Sequence, residues 1–131
     1  MEKSDDVREL SGFINCSSLF EKKTAQLYAT MAGKIDLPLV KSLMLEISLD
    51  SQKHSVLLKG LADKMPKANW KAEVCPKKIG EGLDIVKAFS SEIAKKDRIS
   101  YYDLVELSEK LSVLEGIMGE EYNIFVPDEN A

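Results

Sequence analysis

The sequence contains few of the residues that form disulfide frameworks or metal clusters. Its 131 residues include two cysteines and one histidine, and no Cys-x-x-C pair occurs. A disulfide framework and a zinc knuckle are therefore excluded. We expect Cys16 and Cys75 to be reduced thiols, because a bridge between them requires the segment around Cys75 to fold back onto the first helix.

Long apolar runs and an excess of basic residues are also missing. No window approaches the ~20 consecutive apolar residues of a membrane span, and the N-terminal segment MEKSDDVREL lacks the apolar core of a signal peptide. The formal net charge is −4, which argues against a nucleic-acid-binding protein. We expect one cytoplasmic domain spanning 1–131, with no membrane and no nucleic-acid partner.

Strand signals are weak throughout, whereas helical periodicity recurs four times. A pair of prolines, Pro66 and Pro76, interrupts the pattern between the second and third helices. The expected helices run roughly over 7–32, from Pro38 to about Lys64, from about Gly80–Gly82 to Lys96, and from after Ser100 to about Phe125. The last of them begins with a capping-box pattern of Ser100 and Asp103.

The connection at about 66–78 is unusually long for a helical bundle. Thirteen extended residues reach about 43 Å, and a helix of about 25 residues is roughly 38 Å long. The connection could therefore run the length of the bundle as a crossover between two antiparallel hairpins, with Trp70 holding it to the surface. A polar tail at about 126–131 follows the last helix.

The second helix has polar residues in the middle of its apolar pattern. Leucines and isoleucine in Leu43–Leu61 indicate one buried face, and continuing that face places Asp50, Ser51 and His54 inward. Glu21 on the first helix and Glu115 on the last lie at the edge of their apolar faces. Carboxylates with one imidazole suit iron, manganese or zinc, so Glu21, Asp50, His54 and Glu115 form the candidate metal site.

Glu21-x6-Tyr28, the turn Asp36-Leu37-Pro38 and the segment LEISLDSQKHSVLL resemble the first hairpin of the ferritin-like superfamily, rubrerythrin branch. This resemblance implies an all-α, ferritin-like four-helix bundle, in which four carboxylates and two histidines hold two irons. Glu21, His54 and Glu115 match family ligands. The family glutamate of the second helix is Ser51 here, and the second histidine is Met118. Three of six ligands remain, too few to hold two irons.

Two functions follow from this pattern. The first is a diverged ferritin-like domain without catalysis or cofactor, working as a structural or interaction module and forming a homodimer or another homo-oligomer. The second is a metal-binding redox protein, with iron or another divalent metal, acting on peroxide or oxygen. His54 is then a core partner of Glu21 or Asp50, a metal ligand, or an outward residue. A site completed by Glu115 between two subunits is a further alternative.

Overall fold

The fold was examined in a computed structural model, which describes residues 2–67 and 70–121, without the side chains of 2–5, 78, 115 and 117–121. Regular structure in these ranges is all helical, which confirms the predicted class. The helices are α1 (Glu2–Gly33), α2 (Pro38–Asp63), α3 (Cys75–Ile79), α4 (Gly82–Ala94) and α5 (Tyr101–Glu121), and a 3-10 turn, Ala72–Val74, precedes α3.

The predicted starts of the second and last helices agree with these bounds, whereas α1 begins at Glu2, five residues before the predicted start at 7. Pro38 begins α2, where its missing N–H costs no hydrogen bond. The capping box at the start of α5 is present: the Asp103 N–H donates to Ser100 Oγ at 3.2 Å, and the Ser100 N–H donates to Asp103 Oδ2 at 2.9 Å. The predicted end of the last helix at Phe125, the polar tail and Tyr122 lie outside the described residues.

The turn after α1 and the turn after α4 lie together at one end of the molecule. The Ile99 N–H donates to the Lys34 carbonyl at 2.8 Å, and Ile35 and Ile99 form a parallel bridge. The Lys34 ammonium also donates to the Ile93 and Lys96 carbonyls at 2.9 and 2.8 Å. These carbonyls end α4, where a cation is favourable.

This shared end fixes the direction of each long helix. α1 and α4 finish there and α2 and α5 start there, so successive long helices alternate in direction. A crossover running the full length of the bundle would place the two turns at opposite ends. That prediction is therefore wrong, and the connection instead folds back beside α1 and contains the 3-10 turn and α3.

A disulfide holds this connection against α1. Cys16 and Cys75 are joined, with their Cα atoms 5.4 Å apart, and both are fully buried. The prediction of two reduced thiols is wrong, because the segment around Cys75 does fold back onto the first helix. Spacing in the sequence could not reveal this contact across 59 residues.

The main hydrophobic core lies between α1, α4 and α5, and α1 contacts α2, α3 and α4. Its buried members are Phe20, Leu27, Tyr28, Met31, Ile35, Val86, Phe89, Ile93, Ile99, Leu107 and Leu114. None of the helices in 2–67 and 70–121 has both the length and the apolar character needed to cross a membrane.

α1 and α2 meet through small residues spaced by seven. Ser18 and Ser55 hydrogen-bond reciprocally, each hydroxyl donating to the other's carbonyl at 2.8 and 2.9 Å. One heptad further, Ser48 Oγ donates to the Ala25 carbonyl at 2.7 Å. We call these four residues the serine seam. Short side chains allow two helices to approach closely, so the serine seam forms the closest part of the α1–α2 contact. Leu58 and Ala62 of α2 pack with Ile14 of α1 in a small apolar cluster beside it.

Candidate functional site

Glu21 is the most deeply buried carboxylate among the described side chains, with no exposed surface. It lies in the middle of α1 on a polar strip spaced by three and four residues, which includes Ser17, Thr24 and Tyr28, all buried. This spacing places all four on one helical face. The sequence prediction of an inward Glu21 is therefore confirmed.

Of the candidate metal-site residues whose side chains are described, His54 is the one that lies next to Glu21. Its Nδ1 lies 3.7 Å from Glu21 Oε1, a distance that makes an ion pair when the imidazole is protonated. The histidine side chain is 42% exposed, so solvent reaches one edge of the ring. A carboxylate next to an imidazole can hold the orientation of the ring and exchange a proton with it. The fold thus brings His54 and Glu21 together with the imidazole only partly buried, and the role of His54 as core partner or metal ligand stays a prediction.

The inward placement of Asp50 is wrong. Asp50 is exposed on α2, as are Leu43, Leu57 and Leu61, whereas Ser51 is buried. The buried side of α2 consists of Ser48, Ser51, Ser55, Leu58 and Ala62. The helix is thus rotated by about one residue from the predicted phase, which is about 100°.

The donor set does not fit a di-iron centre. Ser51 offers a hydroxyl where the family pattern has a carboxylate, and Asp50 faces solvent. The side chain of Glu115 lies outside the described residues, although Leu114 before it is buried. Among the side chains that the structure describes, which exclude that of Glu115, no three His, Cys, Asp or Glu residues group as metal ligands. Glu21 and His54 alone cannot both bridge a metal pair and neutralise its charge.

A groove of about 750 Å³ runs along the outside of the α1–α2 contact. Its lining includes the serine-seam residues Ser18, Ala25, Ser48 and Ser55, together with Trp70 from the connection. Trp70 is partly buried there, in agreement with its predicted role of holding the connection to the surface. The recurrence of small residues every seven positions, at Ser18 and Ala25 and at Ser48 and Ser55, is a sequence signal that could have located this close contact.

The most unusual surface of the molecule is the solvent side of α2. Leu39 is 74% exposed and Leu57 is 64% exposed, and Leu43 and Leu61 lie on the same line. Steps of three and four residues also bring Glu46, Asp50 and Lys53 onto this line, and all three are exposed. We call these seven residues the outer stripe. Sequence reasoning placed Leu43, Leu57 and Leu61 in the core, because periodicity finds a stripe without showing which neighbour covers it.

No family model matches this chain. Nor does any curated protein or any solved structure match it. The resemblance to the ferritin-like superfamily therefore stays a prediction based on Glu21, Tyr28 and His54, and any function has to be argued from the geometry of the chain itself.

Proposed function

We propose that the protein is a non-catalytic helical interaction module that pairs the outer stripe of α2 with another helix. The observation that carries this proposal is that α2 turns Ser48, Ser51 and Ser55 to its buried side and the four leucines of the outer stripe toward solvent. Large apolar side chains exposed in a line along one helix face, and not scattered singly, indicate an interaction site. The spacing of the leucines suits an amphipathic helix as the partner, since both helices then contribute one residue per half-heptad.

The charges within the outer stripe favour a protein partner over a lipid surface. Glu46 and Asp50 stand in the middle of the stripe, where burial in acyl chains would leave both carboxylates without partners. A membrane-binding helix instead keeps its charges, mostly basic, on the polar face.

The ferritin-like ancestry remains a proposal, and the alternating direction of the helices counts against it. Cytoplasmic residence likewise stays a prediction. The Cys16–Cys75 disulfide favours an oxidising compartment, because disulfides are rare where thiols are kept reduced.

The double variant Leu43→Gln/Leu57→Gln tests the interaction module. Both side chains are more than half exposed, so at low protein concentration we expect its free energy of unfolding to stay within about 0.5 kcal/mol of the wild type. Fluorescence of a dye that binds apolar surface should decrease in the variant. If urea instead unfolds the variant with a loss of about 2 kcal/mol or more, these leucines hold the fold together and the proposal is wrong.

The approach of His54 to Glu21 supports a second candidate, a protein that binds one divalent metal. The test is elemental analysis after anaerobic addition of ferrous iron, with His54→Ala as the comparison. Near-stoichiometric iron that disappears in a folded His54→Ala variant would support the metal site. If metal stays at background and the substitution only costs stability, about 1 kcal/mol for a half-exposed partner of a buried carboxylate, the pair is structural.

A further inference from the structure

The outer stripe has an internal symmetry that points to its partner. Leu43 and Leu57 lie seven residues before and after Asp50, and Leu39 and Leu61 lie eleven residues before and after it. The four leucines of the outer stripe are therefore spaced symmetrically about Asp50. On a helix these spacings correspond to about 10 Å and about 16 Å on either side of the centre.

This spacing matches an antiparallel two-fold pair of identical helices, in which residues at equal distances from the centre face each other. When two copies of α2 cross at Asp50, a residue placed before the centre faces the residue placed equally far after it on the partner. Leu39 then meets Leu61 of the other protomer, and Leu43 meets Leu57. The steps of three and four residues along the stripe keep these layers in register over the length of the helix.

The charges of the stripe are complementary under the same operation. Glu46 lies four residues before Asp50, and Lys53 lies three residues after it. In the antiparallel pair the Glu46 carboxylate of one protomer approaches the Lys53 ammonium of the other, twice by symmetry. A parallel pair would bring Glu46 to Glu46 and Lys53 to Lys53, which is repulsive.

We propose that a second copy of this chain covers the outer stripe, forming a two-fold antiparallel α2–α2 dimer centred on Asp50. This inference rests on the proposed interaction module and names its partner. The two Asp50 carboxylates meet at the axis, where like charges oppose association. Asp50 therefore limits the affinity of the dimer.

Sedimentation equilibrium of the full, oxidised chain measures the association. We expect a dimer for the wild type and a dissociation constant raised at least 100-fold in Leu43→Gln/Leu57→Gln, since each substitution acts twice across the axis. Asp50→Leu should tighten the dimer about 10-fold or more. The matched control is Leu49→Gln/Val56→Gln, because these residues are equally exposed on α2 but lie off the outer stripe; it should leave the constant unchanged.

Two further variants test the direction of the helices. Asp50→Cys places a thiol on the axis and should cross-link two protomers under mild oxidation. Leu39→Cys should not cross-link with itself, because 22 residues of helix, about 33 Å, separate the two copies in the antiparallel pair. Glu46→Lys and Lys53→Glu should each weaken the dimer, and the double exchange should restore it.

If the wild type is monomeric at all concentrations, a second copy of the chain is not the partner and the dimer proposal is wrong. If the monomer still binds more of the apolar dye than Leu43→Gln/Leu57→Gln does, the interaction module stands and its partner is a different helix. If the dye responds equally to both proteins, the module is overturned as well. Binding of the wild type to anionic lipid vesicles that Leu43→Gln/Leu57→Gln abolishes would instead assign the stripe to a membrane surface. Cross-linking through Leu39→Cys would overturn the antiparallel geometry.

Discussion

Opening the Cys16–Cys75 disulfide should lower the free energy of unfolding by about 4 kcal/mol. The bond spans 59 residues, and closing a loop of that length in the unfolded chain accounts for roughly 4 kcal/mol in the chain-entropy model. The double substitution Cys16→Ala/Cys75→Ala is the cleanest perturbation. Both sulfurs are fully buried, so alanine removes the bond without leaving a new polar group unsatisfied.

Urea unfolding of the wild type, with and without a thiol reductant, provides the assay. At an m-value of about 2 kcal/mol per M, the expected loss lowers the urea midpoint by about 2 M. Trp70 is the only tryptophan and lies between α2 and the bonded Cys75. Its fluorescence should therefore report release of the connection from α1, and a shift of its emission to the red should accompany reduction.

The double alanine variant is also the control for the reductant, which should not change its midpoint. A loss below about 1 kcal/mol in both experiments would refute the reasoning, because the connection would then be held to α1 by packing alone. A loss seen only with reductant and not in the variant would show that the reductant acts elsewhere.

Three smaller predictions follow from contacts that join the helices. Ser48→Leu should cost about 2–4 kcal/mol in urea unfolding, since it combines overpacking of the serine seam with a lost hydrogen bond; Leu49→Ser on the exposed side of α2 should change stability by less than about 0.5 kcal/mol. Lys34→Met should cost about 1.5 kcal/mol by removing two charged hydrogen bonds to the end of α4, and unchanged stability would show that water replaces them. The Ser100 N–H and the Lys96 ammonium hold the pKa of the Asp103 carboxyl below its ordinary value. The stability that the ionised Asp103 carboxyl contributes should be fully present at pH values above the ordinary pKa of aspartate and should be lost as the pH falls through the lowered pKa. Asp103→Asn should therefore remove this acid-dependent part of the stability, measured by unfolding at several pH values.

Local chemistry made much of the fold predictable. Pro38, Ser100 and Asp103 mark helix ends through hydrogen bonds between neighbours in sequence, and the structure has α2 and α5 beginning where they indicate. Glu21 was also placed correctly, because the apolar residues around it on α1 leave one consistent inward face. The predicted ligand role of Glu21, His54, Asp50 and Glu115 stays a prediction.

The rotation of α2 could not be predicted in the same way. Its leucines form the most regular apolar stripe on the helix, so periodicity alone assigned them to the core. Which face of α2 is buried depends on α1. At Ser18 and Ala25 the surface of α1 leaves room for a close contact that serines fill and leucines cannot. Asp50 therefore lies in the middle of the outer stripe and not in the expected metal site.

The sequence by itself determined that the chain is helical, where α2 and α5 begin, and that Glu21 is buried, because these depend on residues within a few positions of one another. Only the tertiary structure decided the alternating direction of the helices, the Cys16–Cys75 bond and which face of α2 reaches solvent. Each of these depends on contacts between residues far apart in the chain, and helical periodicity carries no information about which partner a face will find.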